Sequence, residues 1–469
     1  MTSAMLVWFA LVTAQQAPEA FLERHVALDV SVDYNTPRLL GAITYELENW
    51  TDHPAGTVSF ILNRLMDVSA VQGAGGGSLA YTQDVVRFSD DPMRQVTRLR
   101  VTLPAPILPG ARTTVRMGYA GPLVGYTEVG WLYVQDRIDT AFTIIRADAL
   151  AFPVVGGTVD AANRQRPLPE FSYDASVRVP SRFLVATGGA VTRTPHDDGT
   201  TTWRYISGAS SPFLNIAIAP FDTLVTGGIR IFYFRPDSAG ARGLMASTQA
   251  ALQSLARWFG RQRQGTLDLT ITEIPDGFGS QANLVGGIIQ TASAFRDPAR
   301  RGELYHELSH LWNARDIDNP SPRWNEGLAM FMQGLIRERL DGWTGRAESY
   351  QRLIARVRDR LAKDTALQRV PLIDYGKRGM TDRSYSVGDL MFATLYDLVG
   401  ESQFDRIVGG YYQQFASGGT TRDFDAFAQR HASIDLSTFF QDWIFTTRWT
   451  ELVASATSVT DLSSHYRSR

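Results

Sequence analysis

The feature that most constrains the fold is a change of hydrophobic periodicity part-way along the 469 residues. In the first half, apolar and polar residues alternate, as in residues 28–32, 43–47, 99–103 and 115–119. Turn-forming clusters separate these segments, such as the glycine-rich residues 73–77. Period-two alternation with frequent turns is typical of antiparallel sheets packed face to face. We therefore predict an N-terminal antiparallel β-sandwich.

The pattern becomes helical after about residue 226. One more strand is predicted at 229–234, and apolar residues then recur at helical spacing in residues 244–259, 350–361 and 387–399. A strand at 267–274 adds a small sheet. The chain is therefore predicted to be α+β and multidomain, with a sandwich domain at 18–225, a mostly helical domain at 226–450 and a C-terminal tail at 451–469.

The charge balance excludes some classes of partner. With 46 basic and 48 acidic residues, the formal net charge is −2, which argues against a nucleic-acid binder or a polybasic membrane binder. Basic residues do cluster between Arg337 and Arg369, but they stand at helical spacing among acids. We interpret that cluster as a solvated helix face.

The N-terminal residues 1–17 resemble a signal peptide, because an apolar run over Met5–Val12 precedes small residues. The run is too short to span a membrane, and no other stretch reaches about 18 apolar residues. The chain has no cysteine, so disulfides and cysteine-ligated zinc are excluded. We expect a periplasmic or secreted protein without a membrane span in the mature chain, with a cytoplasmic location as the alternative.

A short stretch of the second half predicts a metal site. His306 and His310 flank Glu307 in the sequence H-E-L-S-H. Residues four apart share one helix face, so both imidazoles can reach one Zn²⁺ at roughly 2.0–2.1 Å. Glu307 points off the metal axis and can instead take a proton from a metal-bound water. Among seven histidines, a chance occurrence of this motif is on the order of one in a hundred.

Glu326 is the predicted third ligand. Fifteen residues separate it from His310, and the proline-containing residues 319–322 end the first helix. A second helix then begins near Trp324 and carries Glu326 in its first turn. Two histidines and one glutamate leave the fourth position of a single zinc ion open for water, as in catalytic rather than structural sites. Taken alone, Glu326 would be interpreted as a first-turn acid favoured by the helix dipole.

HELSHLW followed by RWNEGLAMF resembles the zinc metallopeptidases of the aminopeptidase N family, within the gluzincins. The resemblance is strong over residues 306–395 and weak before residue 265, and the spacer before Glu326 is three residues shorter than is usual in the family. It implies a β-sandwich followed by a thermolysin-like catalytic domain, one Zn²⁺ per chain and a peptide or protein substrate. We expect the family's large C-terminal helical domain to be missing.

Two further residues acquire roles through this resemblance. Tyr385, in Ser384-Tyr385-Ser386-Val387-Gly388, matches the family's Tyr-x-x-Gly segment, whose tyrosine donates a hydrogen bond to the oxyanion. Gln333 stands where the family often has an acid that orients a zinc-bound histidine.

One departure concerns recognition of the substrate. Residues 279–283, Gly-Ser-Gln-Ala-Asn, resemble a stretch in which the family has a glutamate that binds the substrate's α-amine, but here that position is Ala282. Glu273, Asp276 and Glu303 are nearby acids that could replace it. Residues 285–291 are predicted to form an edge strand that binds an extended peptide. The predicted substrate-binding residues are Gly279, Gln281, Asn283, Gly286 and Gly287.

These observations favour a zinc metallopeptidase of aminopeptidase type, in which Glu307 activates the metal-bound water and Tyr385 stabilises the oxyanion. The missing glutamate leaves an endopeptidase open. His310-Leu311-Trp312-Asn313 also resembles the glycyl aminopeptidases, a neighbouring gluzincin family. A hypothesis of a different class is a non-catalytic peptide-binding protein on a peptidase scaffold.

Overall fold

The computed structural model describes residues 17–123, 125, 134–263, 268–283 and 286–467. The predicted signal peptide therefore lies outside the described residues, apart from its last position. In the part of the chain that is described, no helix is both long and apolar enough to cross a membrane.

The first part of the chain is built almost entirely from strands. In chain order the elements are β1 Phe21–Asp33, β2 Arg38–Asn49, β3 Ala55–Asn63, β4 Asp67–Gly73, β5 Ala80–Arg87, β6 Gln95–Ile107, β7 Arg112–Gly121, β8 Thr143–Arg146, β9 Val154–Val155, α1 Asp160–Asn163, β10 Ser172–Pro180, β11 Leu184–Ala186, β12 Ala190–Pro195, β13 Thr200–Ile206 and β14 Asn215–Ala219.

These strands form three sheets around one hydrophobic core. The strand orders are β12-β13-β10-β1-β2-β7-β4, β5-β6-β3-β9 and β11-β14-β8. All three sheets contribute buried side chains to the same cluster, including Val30, Phe60 and Ile216. The expectation of purely antiparallel pairing needs correction, because β1 pairs with β10 in parallel. Eight other strands lie between these two in sequence, enough chain for the long crossover that a parallel pair requires.

The second part combines one sheet with most of the helices. Its elements are β15 Asp222–Thr226, β16 Ile229–Tyr233, α2 Ser238–Phe259, β17 Leu269–Ile274, β18 Gln281–Asn283, β19 Gly287–Thr291, α3 Ala292–Arg296, α4 Gly302–Ser309, α5 Trp324–Asp341, α6 Arg346–Lys363, α7 Ser384–Val399, α8 Glu401–Phe415, α9 Thr421–His431, α10 Ser437–Phe440, α11 Trp449–Ser455 and α12 Val459–Arg467. The chain therefore has a β-rich N-terminal part and a helical C-terminal part with a five-stranded sheet.

The predicted edge strand is wrong in its position. The sheet has the order β15-β16-β17-β19-β18, so β19 is an inner strand and β18 is the edge. The strand expected at 285–291 begins at Gly287 and pairs with β17 on one side and β18 on the other. Its residues are all buried, as expected for a strand that is paired on both sides.

Both predicted limits of the helical domain, at 225/226 and at 450/451, fall within regular secondary structure. The boundary at 225/226 falls in the hairpin between β15 and β16, whose strands pair with each other. Residues assigned to a tail belong to α11 and α12, where Leu462 and Tyr466 are buried in the core of the helical part. The domain limits stay predictions, but residues 451–467 are part of the folded core.

Candidate metal centre

Two histidines meet at the end of α4. His306 lies in its last turn, and His310 begins the 3₁₀ turn His310–Trp312 that follows. Their spacing places both imidazoles on one helix face, and their Nε2 atoms are 3.2 Å apart. Glu326, in the first turn of α5, brings its Oε2 atom to 3.5 Å from Nε2 of His306 and 3.4 Å from Nε2 of His310.

These three atoms form a nearly equilateral triangle whose size tests the fit of a metal. A tetrahedral zinc ion with bonds of roughly 2.0–2.1 Å separates its ligand atoms by about 3.3–3.4 Å. The observed separations of 3.2, 3.4 and 3.5 Å agree with that value. His306, His310 and Glu326 can therefore hold a metal ion, and the fourth corner of the tetrahedron has no ligand from this group.

The second oxygen of the Glu326 carboxylate is bound by Arg323. The Arg323 guanidinium donates a hydrogen bond to Oε1 of Glu326, which leaves Oε2 to face the histidines. Arg323 precedes α5 with a left-handed backbone conformation, φ 54°, which is uncommon for a residue with a side chain. Burial opposes ionisation of Glu326, but His310, His306 and Arg323 together outweigh it and hold the pKa of its carboxyl well below the usual range.

Helices α5 and α7 approach closely at two glycines. A Cβ atom on Gly327 would lie 2.4 Å from Cα of Gly388, so this crossing has no room for a side chain. The approach brings Tyr385, in the first turn of α7, beside the start of α5. Its ring lies parallel to that of His306, with centroids 6.2 Å apart. Burial, and then the negative charge of Glu326, raise the pKa of Tyr385, so its hydroxyl remains a donor at neutral pH.

Glu307 lies between the two histidines and the sheet. Its side chain is buried, and its carboxylate accepts a hydrogen bond from the backbone N–H of Ala282 in β18. Burial raises the pKa of Glu307 to about 7, against the opposing effect of His306. A carboxyl group with such a pKa can both take up and release a proton near neutral pH.

The predicted substrate-binding residues do not all face the same way. Gly279, just before β18, and Gln281, its first residue, are both half-buried. Asn283 is buried, and its Oδ1 accepts a hydrogen bond of 2.7 Å from the N–H of Gly287. Gly286 is also buried and adopts φ 84°. Asn283, Gly286 and Gly287 therefore close the turn between β18 and β19, whereas the segment up to Ala282 borders Glu307.

Three acids near the edge strand occupy different environments. Glu273 is fully buried at the end of β17, where burial raises its pKa to about 8. Asp276 is exposed and accepts a hydrogen bond from the first turn of α3. Glu303 is exposed, one helical turn before Glu307, and one of its carboxylate oxygens accepts hydrogen bonds of 3.1 Å from Ser280 and Thr291. Glu303 alone of the three joins α4 to the segment leading into β18.

Gln333 does not contact the Nδ1 atom of either histidine, contrary to the role predicted for it. The Asn313 amide lies 3.1 Å from Nδ1 of His310. Within the described residues, Nδ1 of His306 is buried without a hydrogen-bond partner. Gln333 lies instead against Gly302, where an added Cβ would come within 2.7 Å of its Nε2. The sequence offered one signal for Asn313: a short polar residue three positions after a ligating histidine can reach back to its ring.

Comparison with known proteins shows the fold. No protein-family model matches the chain, and no curated protein sequence matches it. The structure is similar to that of an M1 zinc metallopeptidase from Deinococcus radiodurans, with a TM-score of 0.64 and 19% identity over 92% of this chain and 95% of that one. A glutamate-to-alanine mutant of that enzyme, bound to a Tyr-Ser-Ala substrate, has a TM-score of 0.62 at the same identity and coverage.

A structure described as a two-domain M1 zinc metallopeptidase mutant bound to L-tryptophan has a TM-score of 0.60 at 19% identity. The alignment covers 90% of this chain and 94% of that one. Because both chains are covered almost completely, the likeness includes the β-rich part as well as the helical part. The protein has the fold of the two-domain M1 zinc metallopeptidases.

Proposed function

We propose that this protein is a zinc-dependent peptidase whose metal is held by His306, His310 and Glu326. The observation that carries the proposal is the triangle of ligand atoms 3.2, 3.4 and 3.5 Å apart, which has the size that tetrahedral zinc requires. Glu307 and Tyr385 beside it supply an acid–base group and a hydrogen-bond donor. The likeness in fold to M1 zinc metallopeptidases is consistent with the same chemistry.

Zinc, when bound, would lower the pKa of water and polarise the substrate carbonyl. Glu307 takes the proton from the attacking water and passes it to the leaving amine, a transfer that suits a carboxyl with a pKa near neutrality. Tyr385 donates its hydroxyl hydrogen to the oxygen on which negative charge develops. Arg323 binds Oε1 of Glu326 and so fixes the oxygen that Glu326 presents.

The variant Glu307→Gln tests this assignment. It should retain one zinc per chain, since no ligand changes, and lose peptide hydrolysis by at least about a hundredfold, the typical contribution of a general base. Zinc content by mass spectrometry and digestion of a peptide library measure the two properties. Glu451→Gln, at an exposed position of α11, is the control. Unchanged turnover in Glu307→Gln contradicts the mechanism, and zinc with no hydrolysis in the wild type indicates a binding protein.

Peptide binding along β18 is the second part of the proposal. Among the described residues, β18 pairs only with β19, so its outer edge can receive an extended peptide by strand addition. Ala282 has no charged group to bind a substrate amine. Glu303 is the acid best placed to do so, because it is exposed and bonded to Ser280 at the start of the same segment. We propose aminopeptidase activity in which Glu303 binds the amine.

Pairs of peptides with free and N-acetylated termini test this assignment. If Glu303 binds the amine, the wild type prefers free peptides, and Glu303→Gln loses most of that preference. The matched control is Asp276→Asn, which neutralises the exposed acid near α3. Equal cleavage of free and acetylated peptides by the wild type, with cuts inside the chain, contradicts amine recognition and identifies an endopeptidase.

A further inference from the structure

A cavity of about 460 Å³ lies between α5, α6 and α7. Apolar and aromatic side chains such as Leu353 and Trp343 form part of its wall. Its most unusual feature is charge, because five arginines line it: Arg337, Arg346, Arg352, Arg356 and Arg360. Among the described residues that line it, Asp389 has the only carboxyl. This carboxyl accepts a hydrogen bond of 2.6 Å from Tyr350, and burial raises its pKa to about 7.

The arginine charges are only partly balanced. Arg346 forms a salt bridge with Glu338, and Arg352 forms one with Glu348 at 2.9 Å. Throughout the described part of the chain, the other three, Arg337, Arg356 and Arg360, form no salt bridge. Arg337 lies over the ring of Trp343, 4.3 Å from its centroid. The cavity therefore has an excess of positive charge.

The sequence interpretation of these residues as a solvated helix face is incomplete. Arg352, Arg356 and Arg360 stand four residues apart, on one face of α6, and that face forms a wall of the cavity. Like charges at this spacing repel one another and destabilise a helix. A bound anion would relieve the repulsion, and the planar guanidinium group pairs with a carboxylate through two parallel hydrogen bonds.

Tyr385 lies both at the cavity and beside the metal centre. This residue lines the cavity, and its ring also stacks on that of His306. Given the peptidase function proposed above, we propose that the arginine-lined cavity binds a carboxylate of the peptide substrate. The carboxylate belongs either to the peptide's C-terminus or to an acidic side chain, and the same guanidinium groups would bind both.

The double variant Arg356→Gln/Arg360→Gln tests the proposal, because both residues are exposed and their replacement leaves the buried face of α6 intact. Arg337→Gln tests the wall formed by α5. The control is Arg406→Gln on α8, an exposed arginine outside the cavity. Two matched pairs of peptides are compared. The peptides of one pair end in a C-terminal carboxylate or an amide, and those of the other pair contain glutamate or glutamine at one internal position. Two quantities are measured: kcat/KM, and the affinity of each peptide for Glu307→Gln protein carrying the same arginine changes.

The wild type should prefer the carboxylate peptide in one of these pairs by about tenfold or more, as expected for a charge-assisted hydrogen bond. Preference in the carboxylate/amide pair identifies the C-terminus, and preference in the glutamate/glutamine pair identifies a side chain. The arginine variants should lose that preference both in kcat/KM and in affinity. A wild type that cleaves and binds all four peptides equally overturns the inference and leaves the peptidase function standing. If the wild type cleaves none, the peptidase function fails, and the affinities still decide whether the cavity binds carboxylates.

Discussion

At the scale of single residues, Arg323 controls how Glu326 faces the histidines. The Arg323→Met variant removes the hydrogen bond to Oε1, so the carboxylate becomes free to rotate while all three ligands remain. Zinc affinity should fall about 10- to 100-fold, as is typical when a group that orients a metal ligand is lost. Competition with a chromophoric chelator measures this affinity. The control is Arg448→Met at the start of α11, and equal affinity of the Arg323 variant and wild type would contradict the role.

Some site residues could be predicted because short-range helix geometry places them. His306 and His310 are four residues apart in one helical segment, so the sequence alone implies that their imidazoles converge. Arg323 could not be predicted in this way. Its own backbone is left-handed in the loop before α5, and no periodicity of side chains indicates that conformation. Asn313 likewise acts from the end of a 3₁₀ turn that no periodicity predicts.

At the scale of elements, the contact between α5 and α7 holds Glu326 and Tyr385 in the same site. Gly388→Ala would place a methyl group 2.9 Å from Cα of Gly327, which forces the helices apart. We expect a loss of about 1–3 kcal/mol in the free energy of unfolding, together with lower activity because Tyr385 moves from the metal centre.

Gly334→Ala in α5 is the matched control for that substitution, since its added Cβ would meet no atom closer than 3.9 Å. Alanine is the better helix former by roughly 0.5–1 kcal/mol, so this variant should be slightly more stable than wild type. Thermal unfolding and kcat are measured on both variants and on the wild type. Two variants of equal stability would show that the crossing tolerates a methyl group.

The sequence predicts where helices and strands lie better than it predicts which strands pair with each other. The apolar residues of α6 predicted from the sequence, such as Tyr350 and Val357, are its buried residues in the structure. Hydrophobic periodicity reports which face is buried, however, and says little about which strand pairs with which. For this reason the sequence pattern predicts an edge strand where β19 is an inner strand, and it does not indicate the parallel pairing of β1 with β10.

At the scale of the whole molecule, the β-rich part supports the segment that leads into the edge strand. Arg146 donates a hydrogen bond of 3.0 Å to the carbonyl of Phe278 and is itself paired with Asp136 at 2.8 Å, with both charged groups buried. Asn215 donates a hydrogen bond of 2.6 Å to the side chain of Gln281. Sequence periodicity contains no information about such long-range contacts.

The stability of the whole molecule should depend on pH through Asp389. Burial raises the pKa of its carboxyl to about 7 in the folded protein, from an ordinary value of 3.8. Between these values the folded state holds a proton that the unfolded state releases. The stability contributed by this proton is therefore complete below pH 3.8 and is lost as the pH rises through 7. Between pH 5 and 8 the loss is about 2–3 kcal/mol.

Asp389→Asn should remove this dependence, because its amide stays neutral and its oxygen can still accept the Tyr350 hydrogen bond. Unfolding of the variant and wild type is compared at pH 5 and pH 8, with Asp359→Asn at an exposed position of α6 as control. The variant should gain stability relative to wild type as the pH rises, while the control should follow the wild type. A constant difference between Asp389→Asn and wild type would show that Asp389 is already ionised in the folded protein at pH 5, held so by the neighbouring arginines Arg346 and Arg356.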